Sequence, residues 1–352
     1  MDFTFSDDQL AFREAISRFL MTEAAPEMLR EIWETDVGRS PELRNKIAEQ
    51  GLTGLSVPEA YGGLGMDDVA WALMTQELGY YAIPDSLADT AYVASALIEA
   101  LPEHTPDRAQ WLERVVEGSI RIAIGHPQSS LVADAHLAEW LFLAHGDEVH
   151  AVPRAQVDVE ACASIDASRR LGRVSWKPSA ATRVADAAQG RELWAQVLNR
   201  GALSVAGQLL GLAQRMLDLS VDYAAQRKQF GKPIGSFQAV KHHLADVAIR
   251  LEAAKPVLYR AAYALAHDEA NASLWVSQAR LACAEASWLA ARQGIQVHGA
   301  MGYTWEVDLQ MFMKRAWALD SAWGDRTFHT ARVAEYVLGA GARLGPGHTF
   351  ED

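Results

Sequence analysis

Arg227, Gln229, Phe230 and Gln238 fall in one short stretch, Arg227-Lys228-Gln229-Phe230-Gly231-Lys232-Pro233-Ile234 followed by Phe237-Gln238. A guanidinium presents forked donors that match a phosphate more specifically than a lysine ammonium does. Phe230 offers an apolar face and Gln238 a neutral amide. A second stretch, Gln296-Val297-His298-Gly299-Ala300-Met301-Gly302-Tyr303, adds another amide and two glycines, whose missing Cβ lets backbone N–H groups approach a ligand closely. Taken singly, each has a plainer explanation: Arg227 as a solvated helix-end cation, Phe230 as a core residue, the glycines as a turn.

Other reactive types are sparse. Cys162 and Cys283 stand far apart, so neither a disulfide framework nor a cysteine metal site is expected. His242 and His243 are adjacent in a helical pattern, where neighbours do not share a face, and no metal is assigned to them. The 352 residues are 50% hydrophobic and 22% charged, enough for a sizeable core in two or three domains. A formal net charge of −13 argues against a nucleic-acid partner. No apolar run is long enough for a membrane span, and the first residues lack the marks of a secretory signal, so a cytoplasmic protein is expected.

The elements that must carry these stretches are helical at both ends. Ser6 with Gln9 forms a capping-box pattern before Leu10, Phe12, Ile16, Phe19 and Leu20 at helical spacing. Ser40-Pro41-Glu42 starts another helix, and helical patterns cover 67–78 and 86–101 around the turn-rich loop Val57 to Gly65. From Arg121 the pattern changes to short β-like runs at 121–124, 140–143, 148–152, 157–159 and 173–176, with a turn at His145-Gly146-Asp147. Long helical patterns resume at Glu192, with Pro256 inside one of them as an expected kink. Gly201, Ser204, Gly207 and Gly211 line one side of the first of these helices, a close-packing surface for another helix. The expected fold is mainly α with a small central β domain: helices over 1–118, a shortened β domain over 119–188, and a helical bundle over 189–352.

Three segments in order, Pro58-Glu59-Ala60-Tyr61-Gly62-Gly63-Leu64-Gly65, Arg227 to Ile234 with Phe237-Gln238, and Gln296 to Tyr303, resemble the acyl-CoA dehydrogenase family at the places where that family carries them. The resemblance covers nearly the whole chain and is weakest between about 120 and 187. It implies α,β-dehydrogenation of an acyl-CoA thioester: a base takes the proton next to the thioester and FAD takes a hydride from the following carbon. It also implies that Arg227, Gln229, Phe230, Gln238, Gln296, His298, Gly299 and Gly302 contact the FAD of a neighbouring subunit.

The sequence departs from that pattern where the family keeps its catalytic Glu. One family position falls on Trp323, or on Gly324 with a one-residue shift, and the other on Tyr259 before Arg260. An indole does not accept a proton at neutral pH, and a phenol is a poor base for this task. In the β region Gly125-His126-Pro127 stands where the family has Thr-Glu-Pro, and Gln128 to Asp134 runs almost directly into Trp140. The features that build a chain's own flavin site are degraded, while those that reach a neighbour's are intact. This asymmetry resembles the non-catalytic subunit of the heteromeric acyl-CoA dehydrogenases of steroid and cholesterol degradation. It implies FAD shared with a catalytic partner subunit in a heterotetramer, two copies of each, and an electron-transfer flavoprotein as acceptor. Two rival readings stand beside it: a self-sufficient homomer with a displaced base such as Asp325, and a helical scaffold with neither flavin nor chemistry. Asp320, Asp325 and His329 flank the lost base, though carboxylates at a helix start are commonly caps.

Overall fold

The computed structural model describes residues 4–345 and Gly347. Helices α1 (Asp7–Glu23), α2 (Pro26–Glu34), α3 (Pro41–Glu49), α4 (Asp68–Tyr80), α5 (Ser95–Glu99) and α6 (Arg108–Val116) come first. Seven strands follow: β1 (Ile122–Gly125), β2 (Val132–Ala133), β3 (Trp140–His145), β4 (Glu148–Pro153), β5 (Asp158–Cys162), β6 (Leu171–Ser175) and β7 (Arg183–Ala185). Helix α7 (Ala187–Gln226) leads to the two-residue strands β8 (Lys228–Gln229) and β9 (Lys232–Pro233), then to α8 (Gln238–Ala266), α9 (Ala272–His298), α10 (Leu309–Leu319) and α11 (Arg326–Val337). The fold is therefore mainly helical around a small β region, as the sequence pattern implies.

The local start signals hold. Ser6 accepts from the backbone of Gln9 at 3.2 Å while the Gln9 side chain accepts from the backbone of Ser6 at 3.0 Å, and Ser40 caps Leu43 at 3.1 Å. The 86–101 pattern forms a π-helical stretch, Asp89–Ala94, before α5. Helix α8 runs on through Pro256.

The chain divides into two compact units, one of Met1–Pro26, Ala72–Ile83 and Leu203–Asp352, the other of Glu27–Trp71 and Pro84–Ala202. In the second unit, one sheet has the order β1-β3-β4-β7 and a smaller one β2-β6-β5. Strand β1 runs parallel to β3, with Ile122 opposite Trp140, whereas β3 and β4 are an antiparallel hairpin with His145 opposite Glu148. Ala123, Val132, Leu141, Leu143, Val152 and Val157 form the core of this region, and Trp111 of α6 meets the rings of Trp140 and Phe142 edge-on. A buried ionic chain also runs through this unit: Arg44 to Asp85 at 2.8 Å, Asp85 to Arg121 at 3.0 Å, Arg121 to Asp134 at 3.1 Å, and Asp134 to Arg39.

In the first unit, α9 is central and packs against α8, α10 and α11. Helices α4 and α7 approach at backbone distance. A Cβ at Gly211 would lie 1.9 Å from the Gln76 carbonyl oxygen, and one at Gly207 2.0 Å from Thr75 Oγ1. Of the small-residue row, Gly207 and Gly211 thus serve helix packing.

Candidate functional site

The two stretches singled out by residue type are brought together on the first unit by a residue that type alone does not flag. Tyr223, in the last turn of α7, stacks on His298 at the end of α9 with ring centroids 4.2 Å apart, and the Arg227 N–H donates to the Tyr223 carbonyl at 2.8 Å. The stack ties the start of the β8–β9 hairpin to the end of α9. A sequence signal existed in the spacing, since Tyr223 precedes Arg227 by one helical turn.

Six of the eight predicted contact residues face solvent: Arg227, Gln229, Phe230, Gln238, Gln296 and Gly299. Phe230 is 91% exposed and held at φ +52° in the turn between β8 and β9. Its reading as an ordinary core residue is therefore excluded on this chain. Among the described residues the Arg227 guanidinium has no hydrogen-bond or ion-pair partner, and the Gln229, Gln238 and Gln296 amides make none either. Gly299 sits at φ +61° with nothing within 4 Å of an added Cβ. The remaining two are buried. The His298 imidazole donates from Nδ1 to the Gly294 carbonyl at 2.8 Å, and burial lowers its pKa. Gly302 lies in the short helix Gly299–Tyr303 against His298 and Ile295.

This donor set fits FAD. An unspent guanidinium suits the pyrophosphate, the exposed phenyl an apolar ring, and three free amides the polar edges. The surface is open rather than enclosed, so it could cover one side of such a cofactor.

Around Trp323 and Gly324, where the resemblance expects the family's base, the polar groups are already committed. Trp323 is half-buried at φ +55°, and its carbonyl accepts from His329 Nε2 at 3.1 Å. Gly324 follows at φ +92°, where a Cβ would meet Phe328 at 2.7 Å and His329 at 2.8 Å. Only glycine fits this turn. Asp325 caps α11, accepting from the Phe328 N–H at 2.8 Å. Asp320 takes Arg280 at 3.1 Å and Arg326 at 2.7 Å. The fully buried His329 also bonds Ser277 at 3.0 Å, and burial, then the nearby Arg280 charge, push its pKa down to about 4. Its one N–H is spent on Trp323 and its lone pair on the Ser277 hydroxyl. Tyr259 has a separate set of partners, donating to Gln76 at 3.3 Å and meeting Phe5 edge-on. Neighbouring Arg260 pairs with Glu269 at 2.5 Å and lies over the Trp275 ring.

In the β region, His126 is buried. It donates from Nε2 to the Trp194 carbonyl at 3.0 Å, accepts the Gln128 N–H at 3.1 Å, and is pushed down to about 4 by burial. Asp134 is the node of the ionic chain described above. Burial opposes its ionisation, but the Arg39 and Arg121 guanidiniums outweigh that and hold its carboxyl below the usual range.

Comparison with known proteins identifies the family. The acyl-CoA dehydrogenase N-terminal domain matches residues 6–119, and the acyl-CoA dehydrogenase C-terminal domain matches residues 188–338. Acyl-CoA dehydrogenase IpdE2 of Mycobacterium tuberculosis is 33% identical over 320 residues, spanning 88% of this chain and 91% of the relative. Two solved structures share the fold: the ChsE4-ChsE5 complex from Mycobacterium tuberculosis, with a TM-score of 0.85 at 23% identity over 97% of this chain and 100% of that one, and a steroid acyl-CoA dehydrogenase variant, with a TM-score of 0.82 at 21% identity over 94% and 97%. The family acts on CH–CH bonds and its members are FAD-dependent flavoproteins. With both helical segments matched and a relative above 30% identity along most of its length, the chain belongs to the acyl-CoA dehydrogenase family.

Proposed function

We propose that this chain is the non-catalytic subunit of a heteromeric acyl-CoA dehydrogenase, and that it presents Arg227, Gln229, Phe230, Gln238, Gln296 and Gly299 to FAD whose substrate site belongs to a catalytic partner. The carrying observation is the unspent Arg227 guanidinium beside a Phe230 that is 91% exposed. In a folded chain an exposed phenyl next to an unpaired cation is a contact surface waiting for a complementary group. His298 and Gly302 enter the proposal as supports of that surface, through the Tyr223 stack and the short helix after α9.

FAD, when bound, supplies the hydride acceptor. This chain's residues hold it: Arg227 by forked hydrogen bonds to phosphate, Phe230 by apolar contact, the amides by neutral hydrogen bonds. The proton next to the thioester needs a base, and this chain offers none at the family position. Trp323 has no lone pair for it, and Asp320, Asp325 and His329 are engaged elsewhere. The base is therefore assigned to the partner. The proposal extends to a heterotetramer with two copies of each subunit, to a bulky, steroid-derived CoA thioester as substrate, and to an electron-transfer flavoprotein as acceptor. These parts rest on resemblance.

Arg227→Ala tests the surface. The heteromer should still assemble but hold FAD about ten- to hundredfold more weakly, since a charge-assisted pair to phosphate contributes about 1.5–3 kcal/mol. Bound flavin is read by absorbance after gel filtration of wild type and variant complexes. Equal flavin content and affinity would leave Arg227 a surface cation and the chain a scaffold.

A further inference from the structure

The β3–β4 hairpin carries a cluster that the flavin reading does not use. His145 ends β3, and Glu148 and His150 lie in β4. His145 is the cross-strand partner of Glu148, while Glu148 and His150, two residues apart on one strand, share a face. The ladder therefore points all three side chains to one place. His145 Nδ1 lies 3.5 Å from Glu148 Oε2, and His150 Nε2 lies 3.3 Å from the same oxygen. The three donor atoms all fall within 4.8 Å of one another.

We propose that His145, Glu148 and His150 form a binding site for one zinc-class divalent cation, coordinated by two imidazole nitrogens and one carboxylate oxygen, with the remaining position open to water. Tetrahedral zinc with bonds of about 2.0–2.1 Å sets its ligand atoms about 3.3 Å apart, close to both separations seen here. Imidazole and carboxylate donors favour zinc and its neighbours over magnesium or calcium.

The surroundings orient the ligands as metal sites require. Arg183 holds the other Glu148 oxygen at 2.8 Å, which leaves Oε2 to face the two rings. Thr182 Oγ1 lies 3.0 Å from His150 Nδ1 while donating to the Ser179 carbonyl at 3.1 Å and accepting the Ser179 N–H at 3.3 Å. The tautomer in which His150 Nδ1–H donates to Thr182 is the metal-binding one, because it leaves the Nε2 lone pair facing Glu148 Oε2. A lone pair 3.3 Å from a carboxylate oxygen is repulsive until a cation lies between them. The opposite tautomer, with Nε2–H donating to Glu148, is the metal-free arrangement that the experiment must separate from the site.

The backbone that carries the ligands is fixed. Trp194 Nε1 donates to the Glu148 carbonyl at 3.3 Å, Arg191 pairs with Asp147 at 3.1 Å, and a Cβ at Gly190 would lie 1.9 Å from the Asp147 oxygen. His145 is exposed and His150 is buried against Trp176, so the exposed ring is the one that closes on the ion. The cation would clamp the end of the hairpin.

The test uses the full chain, alone or in its complex, purified without a histidine tag, stripped with a chelator and titrated with zinc against a chromogenic competitor. Wild type should hold one zinc per chain more tightly than any other site, and its melting temperature should rise with zinc. His145→Ala and Glu148→Gln change partly exposed side chains and should each weaken zinc by at least about tenfold and abolish the rise. Thr182→Val, which removes only the orienting hydroxyl, should cost about ten- to hundredfold. His242→Ala, on the exposed part of α8, should change nothing, and magnesium should not compete. Wild type without a tight zinc, or His145→Ala and Glu148→Gln variants that keep wild-type affinity, would overturn the site and leave three hydrogen-bonded side chains.

Discussion

His126 and His329 are both held neutral, each with its N–H given to a backbone carbonyl and its lone pair to a local donor. Burial pushes each down to about 4, against about 6.5 in an unfolded chain. Between those values the unfolded state binds more protons, so stability is fully present above pH 6.5, falls as pH drops toward 4, and levels off below. Each residue contributes on the order of 3 kcal/mol to that fall. Urea midpoints should therefore decrease steadily from pH 7 to pH 4.5. His329→Gln, which does not titrate, should be less stable at pH 7 but show a shallower slope, and an unchanged slope would count against the assignment. The same bonds explain why His329 is no substitute base. Its place six residues after Trp323 is visible in the sequence, but its commitments to Ser277 and Trp323 exist only in the fold. Tyr223 is the converse case, invisible as a type and decisive as a contact, because its partner His298 lies far along the chain.

Helices α4 and α7 meet where glycines let backbones touch, and that contact sets a clear cost on added volume. Gly211→Ala would gain about 1 kcal/mol of helix propensity, yet its methyl would fall 1.9 Å from a main-chain oxygen that cannot rotate away. Forcing the helices apart typically costs about 1–3 kcal/mol, so Gly211→Ala should be net destabilising and Gly211→Val more so, as measured by thermal or urea unfolding. A stabilised Gly211→Ala would show that the crossing yields easily. The glycine row was legible because it repeats at helical spacing, and the caps at Ser6 and Ser40 were legible because both partners lie three residues apart. The long bundle helices and the β3–β4 hairpin were also legible, from their periods and from the turn at Gly146-Asp147. What escaped the sequence reading was either short or non-local. Helices α2 and α6 span two to three turns, and β2 and β7 hold two and three residues, too few for a period to register. The ionic chain from Arg44 to Arg39 escaped for a different reason. Its members come from four separate segments, and nothing local marks Asp85 or Asp134 as buried. At the candidate site the residue types were readable, whereas their exposure was not: solvent access depends on what the rest of the unit covers.

The first unit carries more exposed large apolar surface than Phe230 alone: Ile249 is 65% exposed, Tyr303 68% and Trp305 63%, and Val221 and Trp288 are also open. They lie on or beside α7, α8, α9 and the Gln296–Tyr303 stretch, the same elements that present Arg227 and Gln296. Scattered apolar residues are ordinary, but exposed aromatic side chains on the elements that also carry an unspent cation and free amides have the composition of an interface core and its rim. Lys314 over the Trp305 ring and Lys232 over the Phe237 ring at 4.5 Å give these aromatics charged neighbours, which keeps them soluble until a partner covers them. Obligate interfaces commonly bury about 2,000 Å² or more, and a chain built for one should not persist as a monomer once its partner is present. On the proposed reading, with Trp323 at the base position and the flavin contacts facing outward, the chain purified alone should lack stoichiometric FAD and turn over no acyl-CoA. Co-expressed with a catalytic acyl-CoA dehydrogenase that carries the family's Glu, it should form a complex of equal subunits that retains flavin and activity. Trp323→Glu should not rescue activity in the chain alone, since the turn at Gly324 and the shortened β region would be unchanged. Mass by light scattering, flavin by absorbance and turnover with an artificial acceptor decide the matter on the same samples. A flavin-loaded, active homomer would overturn the partner assignment, and a stable complex that never takes up flavin would reduce the chain to a scaffold.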